Sequence, residues 1–284
     1  FLRPKRSNNG VLWLLLLVMS VMIHAYLFAM VAIFWSSDLV RSVSRKERCW
    51  HKAFGHFICA IALVLLVSWQ IGVFGVGDDF SAGGYGNYNL NLLSLIAANG
   101  WSYVLPEITG QAGSHEGFNF LGLGGLLLAG LAFWGYRSLN ISLRSYLYEE
   151  RALFVTVLLL TIFAISSTIA VGPIGISIHL PKPLLSIAGV FRASGRMFWP
   201  VYYLIFLGLI FLVVRSFRRK VILGGLAVAL VIQVADTSAA WIPIRNYFAT
   251  PRASQWQSRL TDPFWDKAAE RYETLRLLPP TNSW

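Results

Sequence analysis

The sequence predicts an all-α integral membrane protein, a polytopic helical bundle, from its composition and from the length of its apolar runs. Of its 284 residues, 56% are hydrophobic and only 13% are charged, and the mean hydropathy is +0.59. Soluble domains carry about twice that share of charge. Several apolar runs are also long enough to cross a hydrocarbon core about 30 Å thick. Both features indicate a chain that faces lipid over much of its surface.

Six apolar segments are predicted to span the membrane. They are residues 11–35, 53–75, 119–137, 152–172, 197–214 and 221–236. We assign residues 1–236 to this transmembrane region. Because the first residue is Phe1 and not Met, we expect a fragment of a longer protein.

The last part of the chain has a different character. Residues 237–284 contain five prolines and no further apolar run of span length, so we expect the start of an extracytoplasmic soluble domain, cut off by the end of the fragment. Asp262 followed by Pro263 predicts a helix start, because aspartate caps helix N-termini and proline suits the first helical position.

Basic residues concentrate in the short segments between predicted spans. These segments are residues 36–52, 137–151 and 215–220. The positive-inside rule places them in the cytoplasm, and the longer segments 77–118 and 172–196 then lie on the opposite face. The basic residues near Phe1 (Arg3, Lys5 and Arg6) do not fit. Each span takes the chain to the other face of the membrane, so a first span over 11–35 would place them outside. The net charge of +11 is explained by such segments, so we expect the lipid bilayer as a partner and no nucleic acid.

The loop between the second and third predicted spans carries the densest polar chemistry. A connector needs only a few residues, and a long loop rich in aromatic residues is typically structured and functional. We expect a partly re-entrant segment here, with a short helix over residues 87–96. Asn87 and Asn91 are four residues apart, as Leu92 and Ile96 are, which suits one helical face.

Carboxylates in and beside this loop are candidates for chemistry. Asp78 and Asp79 are suited to a divalent ion or a sugar hydroxyl, or they are solvated charges that close a span. Glu116, next to His115, precedes an apolar run. A carboxylate at a membrane mouth is a functional hypothesis, and the alternative is a helix N-terminal carboxylate favoured by the macrodipole.

Two arginines in the segment FRASGRMFWP are the candidate anion site. Arg192 and Arg196 are four residues apart and would share one face of a helix, which suits a phosphate or pyrophosphate. The alternative is ordinary snorkelling beside an aromatic belt. Lys182, on the same predicted face of the membrane, would assist.

Two motifs carry a family resemblance. EGFNFLGLG, from Glu116, and FRASGRMFWPVYY, from Phe191, resemble an uncharacterised bacterial family assigned to the GT-C superfamily of membrane glycosyltransferases. The likeness covers most of residues 11–215. It implies transfer of a sugar from a polyprenyl-phosphate donor to an envelope glycan or lipid acceptor, at the extracytoplasmic face of the bacterial inner membrane.

The resemblance also implies roles for individual residues. Arg192 and Arg196 would hold the lipid phosphate, and Glu116 with His115 would orient the acceptor or assist at the sugar. The residues expected to line the sugar pocket are Tyr85, Asn87 and Tyr88. The principal acidic residue is expected in a loop before Phe1. A divalent cation, Mg²⁺ or Mn²⁺, is an open part of this expectation. Two rival functions remain: a transporter or flippase of lipid-linked glycans, and a non-catalytic scaffold of a polysaccharide-export complex.

Overall fold

The computed structural model describes residues 10–75, 85–108, 114–139, 147–249 and 261–274, which are mostly helical. The helices are α1 (Gly10–Ile23), α2 (Ala25–Ser44), α3 (Trp50–Gln70), α4 (Gly122–Tyr136), α5 (Arg151–Ile165), α6 (Lys182–Ala188), α7 (Trp199–Ser216), α8 (Arg219–Ala249) and α9 (Pro263–Arg271). Two short strands, β1 (Thr168–Val171) and β2 (Ile174–Ser177), form an antiparallel hairpin. Short 3₁₀ turns span Val73–Gly75, Ser114–Gly117 and Ser194–Phe198. The chain divides into two compact units, Phe1–Ile242 and Pro243–Trp284.

The membrane-protein prediction holds in its coarse form, but the predicted number of six spans is wrong. Within the described part of the chain, four helical segments are long and apolar enough to cross a membrane, judged by length and composition. They are Ala25–Ser44, Trp50–Gln70, Ser194–Ser216 and Arg219–Ala249. Three further apolar helices, α1, α4 and α5, have only 14 or 15 residues. The fold is therefore mainly helical, with four candidate spans instead of six.

The predicted span 11–35 is instead a helical hairpin. His24 interrupts it in an extended conformation (φ −166°, ψ 134°), and its Nδ1 accepts a hydrogen bond from the Tyr26 amide at 3.2 Å, which caps α2. Trp13 Nε1 donates to Asp38 Oδ2 at 3.0 Å, so α1 and α2 run antiparallel. Apolar residues continue on both sides of His24, and the sequence pattern therefore hides the reversal.

This hairpin also removes an inconsistency in the predicted topology. The Gly10 carbonyl lies 3.1 Å from His56 Nε2, near the start of α3. Gly10 is therefore at the same end of the bundle as the basic segment 45–52. The expectation that the basic residues before Gly10 lie outside rested on a single span over 11–35, and that basis is gone.

Two more predicted spans are shortened by specific residues. The segment 119–137 becomes helical only at Gly122, which has φ +75°. The segment 152–172 ends its helix at Ile165, because Ser166 adopts φ +69° and the chain then enters β1. Its β-branched residues suit a strand as well as a buried helix, so apolar character alone does not distinguish the two.

The helix predicted over residues 87–96 is wrong. The Leu90 amide donates to the Ala164 carbonyl, and the Leu92 amide to the Ala170 carbonyl, each at 2.8 Å. Asn91 exchanges two side-chain hydrogen bonds with the backbone of Gly172, at 2.8 and 2.9 Å. These bonds fasten the segment along the end of α5 and the β-hairpin. Distant partners therefore take the Leu90 and Leu92 amides, and the local bonds that remain, such as the one from the Ser94 amide to the Asn91 carbonyl, form turns and no helix.

The core beneath the loops joins α2, α5 and the start of α7. Met30, Leu160, Ala164, Met197 and Val201 form one buried cluster. Each of these residues is at most 5% exposed, so their packing holds the ends of the three elements together. The end of α2 that carries Tyr26 and the 3₁₀ turn before α7 that carries Arg196 are thereby held against the loops 85–98 and 114–121.

Glycines allow α4 and α8 to pack closely. A Cβ on Gly124 would overlap the Ala229 carbonyl oxygen of α8. The Gln233 side chain reaches across the interface and accepts a hydrogen bond from the Gly125 amide at 3.2 Å. Small residues commonly serve this purpose between apolar helices.

The last candidate span is longer than predicted. Helix α8 extends to Ala249 and contains Pro243, whereas the sequence pattern ended the span at residue 236. In the second unit, the helix start at Asp262–Pro263 is confirmed. Asp262 accepts a hydrogen bond from the Phe264 amide at 2.8 Å, and α9 follows.

Candidate functional site

Three segments of the chain meet at glycines to form the candidate site. The Gly195 amide donates to the Tyr88 carbonyl at 2.8 Å, which ties the start of α7 to the loop 85–98. A Cβ built on Gly195 would lie 2.7 Å from the Gly117 Cα, and one built on Gly117 would overlap the Asn89 carbonyl. Backbone therefore touches backbone where the segments around residues 89, 117 and 195 meet. Only glycine fits at two of those three places.

A bidentate ion pair spans this junction. Arg196 Nε donates to Glu116 Oε2 at 2.7 Å, and Arg196 Nη2 donates to Glu116 Oε1 at 2.9 Å. The two side chains are 28% and 20% exposed. Their sequence separation of 80 residues means that the pair forms only when the loops assemble. Paired parallel bonds of this kind give both strength and a fixed orientation.

Aromatic rings hold Arg196 in place. Its guanidinium carbon lies 5.4 Å from the centre of the Tyr26 ring and 5.9 Å from that of Trp199. The Tyr26 hydroxyl accepts a hydrogen bond from the Ala193 amide at 2.6 Å. Tyr26 thereby couples the tip of the α1–α2 hairpin to the segment before α7. These cation–π contacts add to the ion pair and restrict the guanidinium further.

Arg192 is the cation of the site that stays open to a ligand. Its guanidinium carbon lies 4.6 Å from the centre of the Tyr88 ring. Arg192 is exposed and forms no ion pair with any described residue. His115 contacts the same Tyr88 ring edge-on, with centroids 5.9 Å apart. Tyr88 therefore stands between two groups suited to an anion.

The structure changes the expected relation between the two arginines. Arg192 precedes the 3₁₀ turn Ser194–Phe198, and Arg196 lies within it, so the two do not share one face of an α-helix. Arg196 is committed to Glu116, and Arg192 rests on Tyr88. The two arginines thus have different roles. Arg196 helps to hold the loops together, and Arg192 is exposed beside them.

The electrostatics of the junction favour an ionised Glu116. The hydrogen bonds from Arg196 are the largest effect and lower the pKa of Glu116 below 4.5, and the charges of Arg196, His115 and Arg192 act in the same direction. Partial burial opposes them. A carboxylate with both oxygens bonded and a lowered pKa is a poor general base. Glu116 is therefore better suited to positioning than to proton transfer.

The lowered pKa of Glu116 predicts an acid-sensitive junction. The ion pair's contribution to stability should be fully present above pH 4.5 and should be lost as the pH falls through the lower pKa of the folded state. Thermal unfolding in detergent micelles measures this as the stability difference between wild type and Glu116→Gln. A difference that stays constant from neutral pH to well below pH 4.5 would contradict the prediction.

Other residues predicted for the site are placed less centrally. Tyr85 packs against Phe163, and burial raises the pKa of its hydroxyl. Asn87 is exposed in the turn beside Tyr88. Lys182 is exposed at the first residue of α6, and no contact recorded among the described residues joins it to the two arginines. Asp78 and Asp79 lie outside the described residues, and their roles stay predictions.

Sequence reasoning missed a buried carboxylate next to this region. Asp236, only 5% exposed, accepts hydrogen bonds from Ser102 Oγ at 2.7 Å and from the Tyr103 amide at 3.1 Å. Its other oxygen is buried without a partner among the described residues. Asp236 lies in α8 and secures the loop that follows residue 100. An acidic residue inside a long apolar run is the signal that would have identified it.

Removing the Ser102 hydroxyl, which donates a hydrogen bond to Asp236, should destabilise the protein. We expect Ser102→Ala to cost about 1.5 to 3 kcal/mol, because the buried carboxylate loses a charge-assisted hydrogen bond. The control is Ser186→Ala, at an exposed serine on α6 whose hydroxyl donates to the Lys182 carbonyl of its own helix, and it should change stability by less than about 0.5 kcal/mol. Thermal or denaturant unfolding of the purified protein measures both. Equal effects of the two substitutions would show that Asp236 is not a fastening point.

The described residues do not form a metal site. Nowhere in the described ranges do three His, Cys, Asp or Glu side chains come together to hold an ion. Both oxygens of Glu116 are engaged by Arg196. The divalent cation implied by the family resemblance therefore has no ligand set in this part of the chain.

Comparison with known proteins gives one finding. A protein-family model described as a domain of unknown function (DUF6311) matches residues 1–238. That range includes the candidate site, helices α1 to α7 in full and part of α8. No curated protein and no solved structure matches the chain.

Proposed function

Because the chain belongs to the DUF6311 family, a domain of unknown function, we propose its activity from the site geometry and the GT-C resemblance. We propose a membrane glycosyltransferase that moves a sugar from a polyprenyl-phosphate donor to an envelope glycan or lipid acceptor. The observation that carries the proposal is Arg192, an exposed guanidinium stacked on Tyr88 beside a rigid ion-paired frame. Such a group suits a phosphate oxygen.

The helix directions support a site at one membrane face. Helix α2 runs from Tyr26 at the site to Arg45 at its C-cap, and α7 runs from the site near Arg196 to Arg215 in its last turn. The basic residues thus lie at the far ends of the helices that build the site. By the positive-inside rule, the basic end is cytoplasmic, and we place the site at the extracytoplasmic face of the bacterial plasma membrane.

In the proposed reaction, an acceptor hydroxyl attacks the anomeric carbon of the donor sugar. The bond between that carbon and the phosphate oxygen breaks, its electron pair stays on the departing lipid phosphate, and the hydroxyl proton passes to a base. Arg192 stabilises the negative charge that grows on the phosphate, which is the kind of electrostatic assistance that preorganised cations supply. We assign the base to no described residue.

The ion pair between Glu116 and Arg196 acts in this proposal as a positioning element. It joins the segment before α4 to the start of α7, and the backbone of that start is bonded to the Tyr88 carbonyl. The ring that carries Arg192 is therefore fixed relative to the membrane helices. Tyr85, Asn87 and His115 belong to the same loops, and we propose that they contact the sugar or the acceptor. A misplacement of about 1 Å in such a frame costs roughly a hundredfold in rate.

The proposal is tested by sugar transfer in nanodiscs with a panel of radiolabelled polyprenyl-phosphate sugars. Wild-type protein is expected to release or transfer the label, and Arg192→Gln should reduce the rate at least about a hundredfold. The matched control is Arg215→Gln, which removes an exposed arginine at the opposite end of α7. The control should transfer at the wild-type rate.

Two results would overturn the proposal. Wild-type protein that turns over no donor across a broad panel would favour the transporter if it still binds a donor, and the scaffold if it binds none. Transfer that is equal in wild type and Arg192→Gln would keep the enzyme but remove this site from its chemistry. Circular dichroism and unfolding temperature of the variant confirm that a loss of activity is not a loss of fold.

A further inference from the structure

A groove between α2 and α5 lies at the basic end of the bundle, away from the candidate site. The two helices pack together near the site through Met30, Leu160 and Ala164. At their other ends Arg45 Nη2 donates to Glu150 Oε1 at 3.2 Å. Between these two points of contact the helices leave a cavity of about 810 Å³. A cavity of that size is within the range of small-molecule sites in proteins.

Aliphatic side chains line the length of the groove. Val40 on α2 and Val155 and Leu159 on α5 are 60%, 50% and 57% exposed, and all three face the cavity. Helix α2 is one of the candidate membrane spans. The groove therefore offers an apolar lining at membrane depth, and the chemistry it suits there is a hydrocarbon chain.

The cationic side chains of the lining are confined to one end of the groove, whereas the hydroxyls of Ser36, Ser37 and Thr156 lie along its length. Arg41, Arg45 and Arg151 all line that end. Arg41 donates to Asp38 at 2.8 Å, and Arg45 donates to the Glu149 carbonyl and to Glu150. Each guanidinium has five N–H donors, so these contacts leave several unused.

Arg151 is the arginine best placed for a ligand. It lies over the Tyr148 ring, 5.9 Å from its centre, and forms no ion pair with a described residue. The three arginines are matched in number by three carboxylates, those of Asp38, Glu149 and Glu150. Net charge therefore does not explain the preference that we expect for a lipid with a phosphate group. Unused guanidinium donors beside an apolar slot favour a phosphate group attached to hydrocarbon.

We propose that this groove binds one phospholipid, with its phosphate on Arg151 and Arg45 and an acyl chain along Val40, Val155 and Leu159. Basic pockets between transmembrane helices on the cytoplasmic side are established sites for phosphate-bearing lipid head groups. The site lies at the other end of α2 and α5 from the proposed sugar-transfer site and does not depend on that activity. Its occupant supports the two helices where they do not touch.

Photolabelling tests the proposal in detergent micelles free of phospholipid, because bilayer phospholipid would compete for the groove. The probes are a phospholipid and a diacylglycerol that carry the same diazirine acyl chain and differ only in the phosphate head group. Labelled peptides are identified by mass spectrometry. The phospholipid should label residues 32–40 and 152–159 at a low mole fraction, and the diacylglycerol should need about tenfold more, which reflects one charge-assisted contact.

Variants separate the head-group contact from the groove itself. Arg151→Gln should raise the half-saturating phospholipid fraction about tenfold and leave the diacylglycerol unchanged. Val155→Trp should abolish labelling by both probes because it fills the slot. Arg137→Gln is the matched control. It removes an exposed arginine that also lies over a ring, Phe133, outside the groove.

The proposal would be overturned by equal labelling with the two probes, by labelling that Arg151→Gln and Val155→Trp leave unchanged, or by cross-links between two copies of the chain in the groove. Each variant's unfolding temperature is measured beforehand. If Arg151→Gln fails to fold, Arg151→Lys serves in its place. Lysine keeps the charge but has three donors on a single nitrogen, and it should weaken phospholipid labelling only partly.

Discussion

Replacing Gly117 with alanine is expected to take the candidate site apart. The new methyl would overlap the Asn89 carbonyl oxygen and lie 2.9 Å from the Leu90 Cα, and both atoms belong to backbone that cannot turn aside. Asn89 is itself held in place, because it is 1% exposed and its side-chain amide donates a hydrogen bond to the Thr168 carbonyl. We expect a loss of about 3 kcal/mol or more and the loss of transfer activity.

The matched control for Gly117 is Gly130 in α4. A Cβ there meets nothing within 4 Å, so Gly130→Ala should stay within about 1 kcal/mol of wild type and keep full activity. Unfolding temperatures in one detergent and transfer rates in nanodiscs measure both variants. If Gly117→Ala behaves like Gly130→Ala, the close approach of the three segments is not what builds the site.

Breaking the ion pair is expected to have the second large effect, and a double-mutant cycle separates its structural role from its functional one. Glu116→Gln and Arg196→Gln should each destabilise the protein, because each leaves a partly buried charge without its partner. The double variant should be more stable than the sum of the two losses predicts, by about 1 to 3 kcal/mol.

Activity in that cycle should follow a different course. The double variant regains stability but lacks the bidentate geometry that orients the start of α7, so its transfer rate should remain as low as in the single variants. Rates that recover together with stability would assign the pair to folding alone. A coupling energy near zero would mean that the observed geometry contributes little in the membrane.

The sequence predicted the membrane character of the chain, because this depends on composition and on the length of apolar runs. It failed where one residue decides the geometry. His24 turns one predicted span into a hairpin, and Ser166 ends another. Apolar periodicity is the same on both sides of these residues. The reversal is therefore visible only in long-range contacts such as the one between Trp13 and Asp38.

The candidate site was predictable by residue type but not by pairing. Glu116, Arg192 and Arg196 attract attention because charges are costly beside apolar runs. Glu116 forms its ion pair with Arg196 and not with Arg192. This choice depends on contacts between residues 80 positions apart in the sequence. Tyr26 shows the same limit, since an aromatic residue in an apolar run gives no sign that its hydroxyl fixes a distant loop.

The most direct test of the central claim measures binding of a lipid phosphate at Arg192. Purified protein in nanodiscs is titrated with a polyprenyl phosphate and, separately, with the same polyprenol lacking the phosphate. We expect wild type to bind the phosphate at least about tenfold more tightly than the alcohol, and we expect Arg192→Gln to remove this preference while Arg215→Gln keeps it. Equal binding of the two lipids, or a preference that survives in Arg192→Gln, would contradict the claim that this arginine holds the donor phosphate.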